Sequence, residues 1–239
     1  MLPHFPAGFR FGTGSSAYQV EGAAAEDGRG PSIWDVFAAK PGRIRDGSTG
    51  DRACDHYHRY PEDVALLERL GADGHRLSLS WSRIQPTGAG AANPAGLDFY
   101  DRLIDALLGA GVQPLVTLHH GDLPQALEDD GGWLNRNTVD RFAEFAGLVG
   151  ERYADRVEQW VPVNEPSVLA YRGYVTGEYA PGRRLMLDAL PVSHHLLLAH
   201  GRAAIARRAA GATSVGCANN HVPMWPANDD AANVGATTL

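Results

Sequence analysis

The chain has 239 residues, of which 44% are hydrophobic and 21% are charged, and its formal net charge is -7. This balance is typical of a globular protein. The acidic net charge, with basic residues scattered among acidic ones, argues against a nucleic-acid-binding protein. The sequence contains no run of about 18 apolar residues, so it predicts no membrane span. Two cysteines are too few for a disulfide framework or a zinc site, and the N-terminal residues do not resemble a secretory signal, so we expect a cytoplasmic protein.

Five short runs predict β-strands, and longer stretches with apolar residues at every third or fourth position predict helices between them. The predicted strands are Phe9 to Ser16, Gly74 to Trp81, Gln113 to His119, Val157 to Asn164 and Thr213 to Asn220. The predicted helices are Pro61 to Gly71, Leu97 to Gly111, Asn137 to Ala154 and Leu187 to Ala210. This alternation predicts an α/β fold with a parallel sheet.

Polar side chains concentrate at the C-terminal ends of the predicted strands. They are Gln19, Glu21, Trp81, Arg83, His119, His120, Asn164, Glu165, Asn219, Asn220 and His221. No glycine-rich phosphate turn follows any strand, which argues against a doubly wound nucleotide-binding fold. Barrels of eight βα units build their active sites at this end of the strands. We therefore predict a (β/α)8 TIM-barrel type fold, with about the first five βα units in residues 1–239 as the N-terminal part of one truncated domain.

The segment Val161 to Pro166 (VPVNEP) carries the clearest chemical signal, because a predicted strand ends in an amide followed by a carboxylate. Hydrolysis of a glycoside needs one carboxylic acid that protonates the leaving oxygen and one ionised carboxylate on the opposite side of the sugar. Glu165 fits the first role. Taken alone, Asn-Glu-Pro is weak evidence, because this tripeptide more often marks a turn that exposes the glutamate to solvent.

Further segments resemble, in order and spacing, the family 1 glycoside hydrolases, the β-glucosidases and β-galactosidases. They are Gly12 to Gly22 (GTGSSAYQVEG), Asp55 to Val64 (DHYHRYPEDV), Arg76 to Ile84 (RLSLSWSRI), Leu118 to Leu127 (LHHGDLPQAL), Gly131 to Leu134 (GGWL), Gly177 to Gly182 (GEYAPG) and His195 to Gly201 (HLLLAHG). The resemblance covers essentially the whole chain.

The resemblance implies a role for each candidate site residue. Glu165 would be the general acid/base, and Asn164 would bind the 2-hydroxyl of the sugar whose bond is cleaved. Gln19 and His120 would bind the far hydroxyls of that sugar, and Asn220 would lie near the aglycone.

Arg76 would lie beneath the nucleophile and keep it ionised, because a nearby positive charge lowers a carboxylate pKa. From the residues alone, Arg76 is also compatible with a structural ion pair. His119 is better explained by packing or loop hydrogen bonds, and Trp34 by a core or rim position. The family needs no metal or organic cofactor, so we expect none.

Three residues depart from the family pattern. Gly121 stands where tryptophan usually follows the histidine, Pro162 stands where threonine usually precedes Val-Asn-Glu, and His75 stands where an aromatic usually precedes Arg76. A proline removes one strand N–H. We expect these changes to alter pocket shape and substrate affinity more than the fold.

The nucleophile segment of the family, of Thr-Glu-Asn-Gly type, has no counterpart in the 239 residues. We therefore expect hydrolysis of terminal β-D-glucosides with retention, but only when a complementary C-terminal half supplies the nucleophile. The expected partners are a β-glucoside or oligosaccharide and possibly that half, without nucleic acid or membrane. A non-catalytic sugar-binding or assembly half-barrel is the alternative from another class. A preference for phosphorylated sugars depends on residues outside the chain.

Overall fold

The computed structural model describes residues 4–221 and 223–237. Its centre is a sheet of five parallel strands that lie side by side in chain order. The strands are β1 (Gly12–Gly14), β2 (Gly74–Ser78), β3 (Gln113–His119), β4 (Gln159–Val163) and β5 (Ser214–Val215). Within the described residues, β1 and β5 each have a hydrogen-bonded neighbour on one side only, which leaves both edges of the sheet open.

Helices connect consecutive strands, as parallel pairing requires, and one further helix follows β5. They are α1 (Ala17–Val20), α2 (Ile33–Ala38), α3 (His56–Leu70), α4 (Trp81–Ile84), α5 (Pro94–Gly109), α6 (Gln125–Asp129), α7 (Asn137–Tyr153), α8 (Pro166–Val168), α9 (Leu190–Ala209) and α10 (Ala231–Ala236). Two short 3-10 helices (Gly132–Leu134 and Met186–Ala189) and a π-helical segment (Leu169–Val175) complete the set. The predicted α/β architecture with a parallel sheet is confirmed.

Several predicted strands are longer than the observed ones: β1 is Gly12–Gly14 and not Phe9 to Ser16, and β2 and β5 end earlier than predicted. Trp81 begins α4 rather than ending β2, because its fully buried indole packs on Phe145 at 5.1 Å between ring centroids. The hydroxyl of Tyr100 also accepts the backbone N–H of Ser80 at 2.7 Å, which removes that donor from the sheet. The fifth strand is two residues long and is followed by a single bridge at Ala218, since no described strand pairs with its outer side.

The predicted start of α3 is also wrong. Proline favours the first turn of a helix, but α3 begins at His56 and contains Pro61. Tertiary contacts of the first turn outweigh the proline. The N–H of Tyr57 donates to the carbonyl of Glu21 at 3.0 Å, and the Tyr57 ring packs on Phe99 at 4.5 Å.

A buried ion pair lies beneath the C-terminal end of the sheet. The Arg83 side chain is completely buried, and its Nε donates to Glu21 Oε2 at 3.0 Å while Nη2 donates to the carbonyl of Gly22 at 3.1 Å. The Tyr100 hydroxyl donates to the second carboxylate oxygen at 2.5 Å, and the guanidinium lies 4.2 Å from the Tyr57 ring centroid. Two of the polar residues at the predicted strand ends therefore hold the fold together below the pocket.

Candidate active site at the strand C-termini

A cavity of about 620 Å³ opens at the C-terminal end of the sheet. Its lining residues are Ser16, Tyr18, Gln19, Trp34, His120, Gly121, Asn164, Glu165, Val168, Leu169, Arg172, Tyr179, Ala180 and Asn220. Five of the six residues predicted from the sequence line it together, and the sixth, Arg76, contacts the lining residue Asn164 from below. Pockets of this size are typical of sites for small molecules.

Glu165 is held at the end of β4 by its own backbone. Its φ of 44° lies in the left-handed region, and its N–H donates to the carbonyl of Ala218 at 2.7 Å. Its carbonyl accepts the N–H of Leu169 at 3.1 Å, and Pro166 begins α8 directly after it. Left-handed backbone is rare for glutamate and costs about 1 to 3 kcal/mol, which is a feature typical of functional sites. The half-buried carboxylate thereby borders the cavity instead of following the strand direction.

Arg76 fixes the orientation of Asn164. The Arg76 Nη2 donates to Asn164 Oδ1 at 2.6 Å, and its Nε donates to Thr117 Oγ1 at 2.9 Å. Burial lowers the pKa of Arg76, and the nearby Glu165 opposes that shift. Because the carbonyl oxygen of Asn164 accepts from arginine, its NH2 group stays available as a donor at the pocket wall. The structure thus places Arg76 in a side-chain network that joins β2, β3 and the end of β4.

The remaining predicted residues border the cavity from three elements. Gln19 is exposed on α1, His120 directly follows β3, and Asn220 is exposed beyond β5. Burial lowers the pKa of His120, and the positive charge of Arg76 lowers it further. His120 is therefore a neutral imidazole near pH 7, with one donor and one acceptor nitrogen.

The rim of the pocket contains aromatic residues for which sequence reasoning gave no role. The ring of Trp34 stacks on Tyr18 at 5.7 Å between centroids and lies 5.6 Å from Tyr179. Arg172 lies over Tyr179 at 5.0 Å. The sequence indicates only a core or rim position for Trp34, and in the structure Trp34 lies in α2 and is partly exposed at the rim.

Two titratable groups are buried behind the pocket wall. His119 is completely buried, neither ring nitrogen has a hydrogen-bond partner in the described residues, and burial lowers its pKa to about 3. The packing role predicted for His119 is confirmed, because the ring lies 5.4 Å from Trp133. Asp122 is 1% exposed, and neither of its carboxylate oxygens has a partner in the part of the chain described. Burial raises the pKa of Asp122 to about 7.

The free energy of unfolding of Asp122→Asn, compared with that of the parent chain at the same pH, should be more favourable at pH 7 than at pH 4. The folded-state pKa of Asp122 lies above the usual value of 3.8. The protonated side chain therefore contributes fully to the stability of the parent chain below about pH 4, and this contribution is lost as the pH rises from about 4 to about 7. The amide never ionises, so the difference in free energy of unfolding should grow by about 1.4 kcal/mol per pH unit across this window. Urea unfolding at pH 4, 5, 6 and 7 measures it.

The matched control for this variant is Asp229→Asn, which changes an exposed aspartate. It should leave the pH profile of unfolding unchanged. A profile of Asp122→Asn that runs parallel to the parent profile would show that Asp122 is ionised in the folded protein.

No helix in residues 4–221 and 223–237 is long and apolar enough to cross a bilayer. Across the same residues, no three His, Cys, Asp or Glu side chains are grouped as a metal site.

The residues that line the cavity offer a carboxylic acid, amide and imidazole groups, the guanidinium of Arg172 and an aromatic rim. Such groups bind a neutral polyhydroxylated ligand by hydrogen bonds and by contact with ring faces.

Comparisons with known proteins identify relatives over the whole chain. The sequence model described as glycosyl hydrolase family 1 matches residues 1–238. Beta-glucosidase A of Acetivibrio thermocellus is 46% identical to this chain, and the match covers 98% of this chain and 53% of that protein. Thermostable beta-glucosidase B of Thermobispora bispora is 52% identical, and the match covers 89% of this chain and 44% of that protein. The chain thus spans about half the length of the curated relatives it matches.

Solved structures give the same result for the fold. The family 1 β-glucosidase from Thermotoga maritima superposes with a TM-score of 0.95 at 44% identity, covering 98% of this chain and 52% of that protein. It has also been solved in complex with isofagomine lactam. These neighbours are TIM-barrel proteins, and the five strands and their helices correspond to the first five βα units of that barrel.

Proposed function

The chain belongs to glycosyl hydrolase family 1, and from this membership we propose that it carries the acid/base half of a retaining β-glucosidase site. The supporting observation is the position of Glu165 at the cavity wall, beside an Asn164 whose orientation is fixed by Arg76. The substrate class is a terminal β-D-glucoside or a related oligosaccharide. The chain forms part of one (β/α)8 domain, and the rest of that domain completes the site.

In the proposed reaction, Glu165 protonates the glycosidic oxygen while a carboxylate on the opposite face attacks the anomeric carbon. The C–O bond to the aglycone breaks, and a covalent glycosyl-enzyme intermediate forms. Glu165, now ionised, then removes a proton from the water that cleaves this intermediate. The configuration of the anomeric carbon is retained because it is inverted twice.

Hydrogen bonds hold the sugar in place for both steps. The NH2 group of Asn164 donates to the 2-hydroxyl, a bond that strengthens in the transition state. Gln19 and the neutral His120 bind hydroxyls farther from the cleaved bond, and Asn220 lies toward the aglycone. Trp34 at the rim offers a ring face to the sugar.

The second carboxylate is supplied by βα units that this chain does not contain. Among the described residues that line the cavity, Glu165 is the only carboxylic acid. A retaining site needs two carboxyl groups about 5 to 5.5 Å apart. Arg76 is half-buried near the centre of the sheet and carries a positive charge that favours an ionised neighbour.

A chimera tests the proposal. The 239 residues are joined to the C-terminal half of the Thermotoga maritima β-glucosidase, and we call this protein the completed barrel. We expect it to hydrolyse 4-nitrophenyl β-D-glucoside, with the β-anomer of glucose as the first product by proton NMR. The 239-residue chain alone should bind glucose or cellobiose without turnover, since the described residues that line its cavity include one carboxylic acid, Glu165.

Three results would contradict the proposal. A completed barrel that is folded by circular dichroism but hydrolyses no aryl β-glycoside would remove the catalytic role, and α-glucose as the first product would exclude retention. Turnover by the 239-residue chain alone would show that the nucleophile lies within it.

A further inference from the structure

We propose that Gly121 opens a recess in the pocket wall and that this recess accepts a short O-acyl group, of acetyl size, carried by the bound sugar. The recess is the space bounded by Gly121, Trp34 and Leu169. The inference rests on the proposed function and adds a substrate class to it. That class is β-glucosides acylated on a glycone hydroxyl near His120.

The backbone of Gly121 leaves open the volume that a side chain would fill. A Cβ placed on this residue would have two neighbours within 4 Å, Trp34 Nε1 at 3.7 Å and Leu169 Cδ1 at 4.0 Å. Both distances are ordinary van der Waals contacts, so no backbone atom closes the space. A group that enters from the cavity at this point therefore contacts an indole N–H on one side and a methyl group on the other.

The indole N–H of Trp34 is a fixed donor without a protein acceptor in the described part of the chain. The ring is held by stacking on Tyr18 and by an edge contact with Phe37 at 5.6 Å between centroids. The Tyr18 hydroxyl also donates to the carbonyl of Trp34 at 3.2 Å. Trp34 is partly exposed where it lines the cavity, so its N–H can donate to a ligand oxygen in the recess, as the polar end of a tryptophan at a binding site commonly does.

An acyl ester matches both walls of the recess. Its carbonyl oxygen accepts from the N–H of Trp34, and its methyl group packs against Leu169. Neither wall carries a charge, and the adjacent His120 is neutral near pH 7 because its pKa is lowered.

In the proposed arrangement, the recess borders the non-reducing side of the sugar. Gly121 directly follows His120, which is assigned to the far hydroxyls, whereas Glu165 is assigned to the cleaved bond. An acyl group in the recess therefore leaves the anomeric carbon and the aglycone free to react.

The test uses the completed barrel with 4-nitrophenyl β-D-glucoside and its 3-O-, 4-O- and 6-O-acetyl esters. Each ester is paired with the O-ethyl ether at the same position, which has the same chain length but no carbonyl oxygen. We expect one ester to be hydrolysed with kcat/KM within about tenfold of the parent glucoside. The matching ether should be about fivefold slower than that ester, because it lacks the carbonyl acceptor for Trp34. Release of 4-nitrophenol reports cleavage of the aryl bond.

Two variants locate the effect, and each is judged by the ratio of ester to parent kcat/KM within the same protein. Gly121→Asn fills the recess with a residue that tolerates left-handed backbone, and it should lower the ratio by about tenfold or more. Trp34→Phe keeps a ring but removes the N–H, and it should abolish the difference between ester and ether.

The outcomes separate this inference from the proposed function. Hydrolysis of the parent glucoside with every ester at least a hundredfold slower would overturn the recess and leave the proposed function standing. Ratios unchanged in both variants would overturn it as well. A folded protein that hydrolyses neither parent nor esters would overturn both proposals.

Discussion

Glu165→Gln in the completed barrel should lower kcat/KM for methyl β-D-glucoside by about 10²- to 10⁴-fold, the usual contribution of a general acid or base. Glutamine keeps the shape of the side chain but cannot protonate the leaving oxygen. For 2,4-dinitrophenyl β-D-glucoside the loss in bond cleavage should be much smaller, because this aglycone departs without protonation. Initial rates with a series of aryl glucosides of increasing leaving-group pKa measure the effect.

A matched control is Glu158→Gln, which alters an exposed glutamate just before β4, at the end of the strand opposite Glu165. It should leave both rates within about twofold, as is usual for surface substitutions. If Glu165→Gln reduces hydrolysis of all aryl glucosides by the same factor, its role is structural. An effect below tenfold on the methyl glucoside would assign the proton donor to another group.

Arg83→Met should reduce the free energy of unfolding of the completed barrel by about 3 to 5 kcal/mol, because it leaves the buried Glu21 carboxylate without its counter-charge. The arginine side chain is completely buried and that of Glu21 is 5% exposed, so water cannot replace the lost donors. The double change Glu21→Met with Arg83→Met removes both charges and should cost less than either single change. Urea unfolding followed by tryptophan fluorescence measures all three variants.

The exposed pair of Arg59 and Glu62 provides the comparison, since both side chains are more than half exposed. Arg59→Met should leave the unfolding midpoint unchanged, as expected for a surface ion pair. Equal losses from Arg83→Met and from the double change would mean that lost packing, and not an unpaired charge, explains the effect.

The sequence predicted the features of the fold that depend on local patterns. The predicted β3, Gln113 to His119, agrees with the observed bounds, because an apolar run is flanked by glycines that end it. The start of α3 could not be predicted, since contacts of Tyr57 with residues far away in sequence outweigh the local preference of Pro61. Element boundaries depend on such tertiary contacts and are the least predictable part of a fold.

The same distinction applies to the pocket. Glu165 and Asn164 follow a strand directly, so their position at the C-terminal end of the sheet could be predicted. The bond from Arg76 to Asn164 joins residues 88 positions apart, and it exists only because β2, β3 and β4 align in one register. The place of Trp34 at the rim depends on its packing against Tyr18, which no periodicity in the sequence indicates.

The amide of Glu165 donates a hydrogen bond to the carbonyl of Ala218. This bond limits the position at which a barrel of this kind can be divided into two pieces without separating the two residues. A fragment that ended after the fourth strand would contain Glu165 but would lack Ala218, the residue beyond β5 that accepts its amide N–H. The earliest breakpoint that preserves the geometry of this residue therefore lies after Ala218. Division of the chain beyond that position keeps both partners of this hydrogen bond in one piece, whereas division before it separates them.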